Sequence, residues 1–383
     1  MTVGSLAEPA YPAARLVAPR IQAYFASHRQ AARAHGARTI APEPDAAAIE
    51  AIVDAGFWAS LRREEGYSPK ISLAFVAPGD VPRPLTFANR LTLDPRPLAR
   101  LAPAVERPGV HLGVCADGGE LHVWGTTREL PTLAFVLEVV SPGLLVIKSP
   151  RGEPAKYVNV AVLQGDRIKV LDEAGARLPD CPQVVQSLLG FDAPGYWGDT
   201  VNIYVQLAVS MRAHGRGGAV LVVPSGNEEW RESIVHPIPY AIEPAFSELA
   251  ELMRLPTEQH VSRTWQDAVT RAVEALAGLT AVDGATIIND RCDLLAFGAK
   301  IARREGRAQV EQVMLTEPVE GAEPMLVHPS QFGGTRHLSA AQFTQDQREA
   351  VALVASQDGR FTVFKWTQCE NMVHAHRVDA LLL

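Results

Sequence analysis

The chain has 383 residues, of which 47% are hydrophobic and 21% charged, with 29 glycines and 28 prolines. This is a globular composition, long enough for two to three domains of roughly 100–200 residues, and it excludes disordered, collagen-like and coiled-coil classes. With 36 basic against 43 acidic residues the formal charge is −7. A mildly acidic chain lacks the field with which duplex-binding proteins displace counterions, so nucleic acid is not an expected partner.

Cysteines at 115, 181, 292 and 369 match neither a zinc spacing nor a disulfide framework, which points to a reducing, cytoplasmic compartment. The first residues lack a continuous apolar run and read as a loose tail rather than a signal peptide. The most apolar stretch, Leu133–Lys148, is broken by Glu138 and by the turn Ser141-Pro142-Gly143. It falls short of the ~20 residues of a membrane helix and reads as two buried strands of a soluble protein.

In chain order, residues 11–35 read as a helix with apolar Leu16, Ile21, Tyr24 and Phe25. A second helix follows Asp45, a good N-cap, with Ile49, Ile52, Val53, Phe57 and Leu61 at helical spacing. From Ser72 the pattern changes to strands. Two of them flank Asp117-Gly118-Gly119, a hairpin signal, and others meet at Gln164-Gly165-Asp166. Helices followed by a mostly antiparallel sheet predict an α+β domain over roughly 10–180. His111 and His122 stand on opposite arms of one hairpin and read as surface or half-buried cross-strand residues, not as a site.

The Pro-, Gly- and Asp-rich segment 177–200 reads as the domain boundary, with Asp199 or Thr200 capping the next helix, which ends at Gly215. Arg216-Gly217-Gly218 leads into AVLVVP, a strand buried on both faces. A long helix is expected from Thr257 to Leu279, with Val261, Trp265, Val269, Ala272, Val273 and Leu276 on one stripe. Further strands, one more helix and two final strands complete a mixed α/β arrangement.

Three short pieces of this second half stand out. Asp283-Gly284-Ala285 opens an apolar strand, Gly333-Gly334-Thr335-Arg336-His337 leads a loop into a helix, and Ser356-Gln357-Asp358-Gly359 turns between two strands. Each has an ordinary explanation. Asp-Gly is a common turn, Gly-Gly-Thr is a normal helix start with Thr335 as cap and glycines supplying unusual φ, and Ser-Gln-Asp-Gly is a plausible hairpin turn.

In this order and topology, however, the set resembles the diadenylate cyclase (DAC) family, which joins two ATP molecules into cyclic di-AMP. That family carries Asp-Gly-Ala after a helix, Gly-Thr-Arg-His-Arg at a helix start, and a Ser-Glu-Glu turn between its last two strands. RGGAVLVV and ALAGLTAVDGATIINDRCDLLAFGAKI extend the resemblance over about 200–366. The first half looks like DACNV, a sensor-type domain found ahead of such cyclases. The fold class expected is therefore α/β: a sensor-like α+β domain over 1–190, a DAC-like mixed sheet flanked by helices over 199–370, and a tail at 371–383.

The resemblance implies a cyclase that condenses two ATP into cyclic di-AMP and pyrophosphate under control of its N-terminal domain. It implies catalytic roles for Asp283, Arg336 and His337. ATP binding would fall to Gly284, Ala285, Gly334, Thr335, Arg336, His337 and Ser356, and Mg²⁺ or Mn²⁺ to Asp283 and Asp358. Physical chemistry agrees: phosphoryl transfer needs positioning, charge neutralisation and a divalent ion more than a covalent nucleophile. Asp283 offers a hard oxygen ligand and an acceptor for the hydroxyl proton, Gly284 would let backbone approach a purine, and a helix N-terminus favours a triphosphate. Because each chain supplies one such set and the product is symmetric, a homo-oligomer with facing catalytic domains is expected.

The chain departs from the family pattern in three places. Leu338 stands where the family has its second arginine, Gln357-Asp358 replaces Glu-Glu, and Val282 precedes Asp283, so no histidine ligand is offered there. A catalytically silent ATP or cyclic-dinucleotide sensor on the same fold is accordingly the alternative. Two minor candidates remain. His374-Ala375-His376 reads as a terminal tail or edge strand before it reads as a metal site, and Arg303-Arg304 with Arg307 as a solvated loop before a phosphate contact. No DNA-binding module is expected after the last strand.

Overall fold

Alanine-rich, unbranched sequence favours helix at the start of the chain. In the computed structural model, which describes residues 10–34, 39–64, 66–151, 156–172, 197–260 and 262–383, α1 spans Pro12–Ala34 and α2 spans Ala46–Ser60. Asp45 caps α2 as expected: its carboxylate accepts from the Ala48 amide at 2.7 Å, satisfying a donor that the first turn leaves open. Val17, Ile21 and Phe25 form the buried stripe of α1, and Leu16, off that stripe, is exposed. A third helix, α3 at Pro95–Val105, was not expected from its three prolines and two arginines. Its Pro95 occupies the first turn, where a missing N–H costs nothing.

The chain divides into two compact units, residues 1–171 with Leu383, and residues 172–382. The first unit holds an eight-stranded sheet made of β1 (Ile71–Phe75), β2 (Leu85–Thr92), β3 (His111–Asp117), β4 (Glu120–Thr127), β5 (Phe135–Ser141), β6 (Leu144–Arg151), β7 (Lys156–Gln164) and β8 (Arg167–Val170). Their order is β2-β4-β3-β1-β5-β6-β7-β8, antiparallel except for β1 beside β3. Alternation sends Ile71, Leu73, Leu112, Leu137 and Ile147 to the helices, where they form the main core. The opposite face carries a small second cluster around Trp124, whose indole N–H donates to the Val76 carbonyl at 2.7 Å.

Among the described residues the first helix of the second unit is α4 (Trp197–Ala213), and the unit contains a nine-stranded mixed sheet. Its strands are β9 (Gly218–Val223), β10 (Tyr240–Phe246), β11 (Ala285–Asn289), β12 (Leu294–Ala299), β13 (Val313–Thr316), β14 (Met325–Val327), β15 (Val351–Ala355), β16 (Phe361–Thr367) and β17 (Met372–Arg377). The order is β10-β12-β11-β9-β15-β16-β17-β13-β14, with β9–β11 and β13–β17 parallel. Its remaining helices are α5 (Glu248–Arg254), α6 (Thr257–His260), α7 (Arg263–Leu279) and α8 (Thr335–Asp346). The α/β class thus holds in both halves, and β9 is buried along its whole length, as its β-branched sequence predicts.

Several expectations are corrected. The single helix over 257–279 is two, because Ser262 intervenes as the N-cap of α7 and its hydroxyl accepts from the Trp265 amide at 3.2 Å. Asp199 and Thr200, expected before the helix, lie within α4. The segment read as the domain boundary falls largely outside the described residues. Residues 371–383 are no tail: β17 runs between β16 and β13, so His374 and His376 sit inside the sheet. Among the described residues, no helix is long and apolar enough to cross a membrane.

Candidate functional site

The start of α8 is the centre of the site. Gly334 is the N-cap, Thr335 is the first helical residue, and no side chain caps this end. This corrects the expectation of Thr335 as cap. The His337 amide donates to the Gly334 carbonyl at 3.0 Å, which leaves the Thr335 and Arg336 N–H groups and the positive end of the helix dipole without a side-chain cap. The two glycines also have a different reason from the one expected, since neither has positive φ. Gly333 is required for space: a Cβ there would stand 2.1 Å from Cγ of the His337 ring.

His337 itself is almost fully buried. Its ring lies edge-on to Phe332 and Phe364, with centroids at 5.6 and 5.9 Å, and Nε2 is 3.3 Å from the Thr362 hydroxyl. Burial pushes its pKa down to about 4, so at neutral pH it is an uncharged wedge that fixes the loop above it. It supplies no cation to a phosphate.

Two cavities flank this helix start. One, of about 490 Å³, is lined by Gly334, Thr335, Arg336, Ser356, Asp358 and Arg360 among others. The other, of about 230 Å³, is lined by Asp283, Gly284, Ala285, Lys300, Thr335 and Arg336. Thr335 and Arg336 belong to both, so every expected site residue borders one rim. Gly217, at the mouth of β9, has φ of +70° and lies beside the guanidinium of Arg336: a Cβ there would be 3.3 Å from Nη1.

Asp283 precedes β11 with its side chain 84% exposed. A hydrogen bond and ion pair from Lys300 hold its carboxyl below the usual carboxylate range, and the charge of Arg336 acts in the same direction. It is therefore a persistent anion and a weak proton acceptor. Gly284 has φ of +117°, and a Cβ on it would meet the Gly298 carbonyl carbon at 2.4 Å. The glycine expected to admit a purine is used instead to cross the neighbouring strand.

Across the rim, Ser356-Gln357-Asp358-Gly359 forms the hairpin turn between β15 and β16, with the Ser356 amide donating to the Arg360 carbonyl at 2.9 Å. The Ser356 hydroxyl donates to Asp358 and Arg360 Nε lies 3.2 Å from its Oδ2; both keep that carboxyl ionised below its ordinary range. From beneath, Arg212 of α4 donates to the Gly359 carbonyl at 3.0 Å and to that of Leu382 at 2.7 Å. Sequence reasoning missed Lys300, Arg360, Arg212 and Gly217. The Arg-Gly-Gly run was the only signal for any of them.

Asp283 and Asp358, assigned to one metal ion from the sequence, border different cavities and each already has a cationic neighbour. Among the described residues no three His, Cys, Asp or Glu side chains gather as a metal-binding group. The donor set does suit a divalent ion that arrives on a triphosphate, since Mg²⁺ is typically held by one or two carboxylates plus phosphate oxygens.

The minor candidates resolve simply. His376 is buried and pushed down to about 3, with Nδ1 2.8 Å from the Thr316 hydroxyl, and His374 pairs with Glu370 at 2.8 Å. Arg304 is held by Glu229 and Glu232 at 3.2 and 2.6 Å, while Arg303 and Arg307 are exposed. In the first unit both His111 and His122 are buried, contrary to the surface reading.

Residues 38–128 match the family described as Probable sensor domain DACNV. The match runs from ahead of α2 to the end of β4, within the first unit, and supports the sensor reading of the N-terminal half. No curated protein matches the chain. The cyclase reading rests on the motifs and geometry of the second unit.

Proposed function

We propose that the second unit is a nucleotidyltransferase that condenses two ATP molecules into cyclic di-AMP and pyrophosphate, and that the sensor-type first unit regulates it. The observation that carries this reading is the rim itself. An uncapped helix start, the anion Asp283 and the Ser356–Asp358 turn converge on two adjoining cavities that share Thr335 and Arg336.

In this reading the first-turn amides of α8 and the Arg336 guanidinium hold the triphosphate, where a charge-assisted contact is worth most. Ser356, on giving up its hydrogen bond to Asp358, would donate to phosphate instead, and Arg360 offsets charge on the same side. The 3′-oxygen of one ATP bonds to the α-phosphorus of the other, the bond to the bridging β-phosphate oxygen breaks, and the hydroxyl proton leaves for solvent. Two such events close the ring. Asp283 in one cavity and Asp358 in the other would each help hold a Mg²⁺ or Mn²⁺ ion brought by a nucleotide, and such an ion would neutralise charge building on the pyrophosphate. One cradle and one Asp283 per chain means that two chains must face each other, most simply about a two-fold axis.

The test is incubation with ATP and Mg²⁺ or Mn²⁺ followed by mass analysis of the products. Cyclic di-AMP is expected from the wild type and none from Asp283→Asn. Mixing that variant into wild type should depress activity beyond dilution. A second reading, a silent ATP or cyclic-dinucleotide sensor, is favoured by Leu338: where the family has an arginine, this side chain packs against the apolar core. Nucleotide binding without turnover under both metals would establish it.

A further inference from the structure

We propose that the first unit binds a small organic carboxylate in a cavity lined by five strands of its sheet and by Val105 at the end of α3, built on Ser72, His111, Lys148 and Tyr157. The inference rests on the sensor reading of this unit and names the place and chemistry of what is sensed.

The cavity measures about 360 Å³, within the size range of small-ligand pockets and more than twice the ~150 Å³ that takes a benzene ring. Its position follows from strand alternation. Ile71 and Leu73 face the helices, so Ser72 between them faces the other way. Ser72 pairs in register with Glu138 of β5, and Leu73 with Leu112 of β3, which brings His111 alongside. Lys148 of β6 and Tyr157 of β7 complete a polar stripe across five adjacent strands. Ile71, Val110, Val136 and Val140 add apolar wall.

A sheet face that served stability alone would continue the apolar cluster seen around Trp124. Here it carries instead groups that are costly to bury. His111 is 5% exposed, with Nδ1 2.7 Å from the Ser72 hydroxyl and Nε2 3.0 Å from the Tyr157 hydroxyl. Lys148, its side chain 15% exposed, reaches Glu138 at 2.5 Å. Burial keeps the imidazole neutral, down to about pKa 4.

A neutral imidazole has one donor and one acceptor nitrogen. If Nδ1 carries the hydrogen, Tyr157 donates to Nε2 and the Ser72 hydrogen is left over. If Nε2 carries it, Ser72 donates to Nδ1 and the Tyr157 hydrogen is left over. In both tautomers the relay retains one O–H that can donate to an acceptor on a ligand. The Lys148 ammonium has donors beyond the one given to Glu138, and Lys70 and Arg107 stand exposed at the rim. Three cations against Glu106 and Glu138, with a spare hydroxyl donor and apolar wall, suit a compact apolar body bearing one carboxylate.

The experiment uses the full chain without nucleotide. Benzoate and isovalerate serve as probes, benzamide as the uncharged control, and binding is read by calorimetry and saturation-transfer NMR. At least one acid should bind. For benzoate, the amide should be weaker by at least about tenfold, the loss expected for a charge-assisted contact. Arg107→Gln, at an exposed position, and Tyr157→Phe, which removes one hydrogen-bond partner of buried His111 and is checked for folding by its urea midpoint, should each weaken the bound acid severalfold. Absence of binding by both acids, equal affinity for benzamide and benzoate, or unchanged affinity in both variants would overturn the proposal. Because no nucleotide is present, an inactive chain that still takes an acid overturns the cyclase reading and leaves this site standing. An active cyclase that ignores both acids overturns this site alone.

Discussion

The imidazole of His337 lies directly over the α-carbon of Gly333, so close that a single added methyl would fall 2.1 Å from the ring. The neighbouring Gly334 has nothing within 4 Å of where its Cβ would be. Gly333→Ala is therefore expected to cost about 1–3 kcal/mol by overpacking and to weaken nucleotide binding through a displaced helix start. Gly334→Ala should cost less than about 1 kcal/mol, the difference between glycine and alanine at an N-cap. Urea unfolding of the two variants decides; equal losses would show that the ring yields.

The three most depressed histidines make stability acid-sensitive. In the folded chain His111 and His337 titrate near 4 and His376 near 3, whereas an unfolded histidine titrates near its ordinary 6.5. Below about pH 6.5 the unfolded chain takes up protons that the folded chain refuses, so stability is full above that pH and falls as pH drops toward 4. Each ring contributes at most roughly 3 kcal/mol over this window. Urea midpoints at about pH 7, 6 and 5, where carboxylates stay ionised, should decline steadily. A flat profile would contradict the burial of these rings as neutral groups.

Leu338 packs against the core of the second unit. Restoring the arginine of the family pattern by Leu338→Arg should therefore lower the unfolding free energy by about 1–3 kcal/mol through lost apolar contact, with ATP affinity no better than wild type. Tighter ATP binding at unchanged stability would show that the side chain reaches the phosphate cradle after all.

Arg212 supports the Ser356 turn through the Gly359 carbonyl. Arg212→Met retains the apolar stem but leaves two carbonyls short of a donor. The expected cost is roughly 2–4 kcal/mol, with a loosened turn that weakens nucleotide binding more than the fall in stability explains. Calorimetric ATP titration below the unfolding temperature separates the two effects.

What could be read from the sequence depended on whether the signal was local. Asp45 with Ile49, Ile52 and Val53 of α2, the buried run of β9 and the Ser356–Gly359 turn are set by neighbours a few residues apart and fold as their patterns predict, whereas Leu61, expected on the same stripe, ends the helix and is exposed. α3 was hidden because proline usually argues against helix, and β10 because nearly every residue in it is exposed and no alternation survives. The Asp283, Thr335–Arg336 and Ser356 pieces were visible as motifs. Their ion-pair partners, Lys300 and Arg360, were not, since an isolated cation carries no mark of the carboxylate that the fold will bring to it. His111 and His376 misled for the same reason: their burial is imposed by strands far away in sequence.

The placement of β17 sets an order of events during synthesis. β13 and β14 have no neighbour in the sheet except through β17, and the pair Met314 and His374 are sixty residues apart. At ribosomal speeds of about 5–20 residues per second, that two-stranded flap waits several seconds for the strand that will dock it. Until then the partly exposed Met325 and Leu326 of β14 are a sticky edge without a home. Synthesis in the presence of a holding chaperone should therefore favour recovery of the full chain, and a ribosome stalled before residue 372 should leave residues 313–327 open to protease.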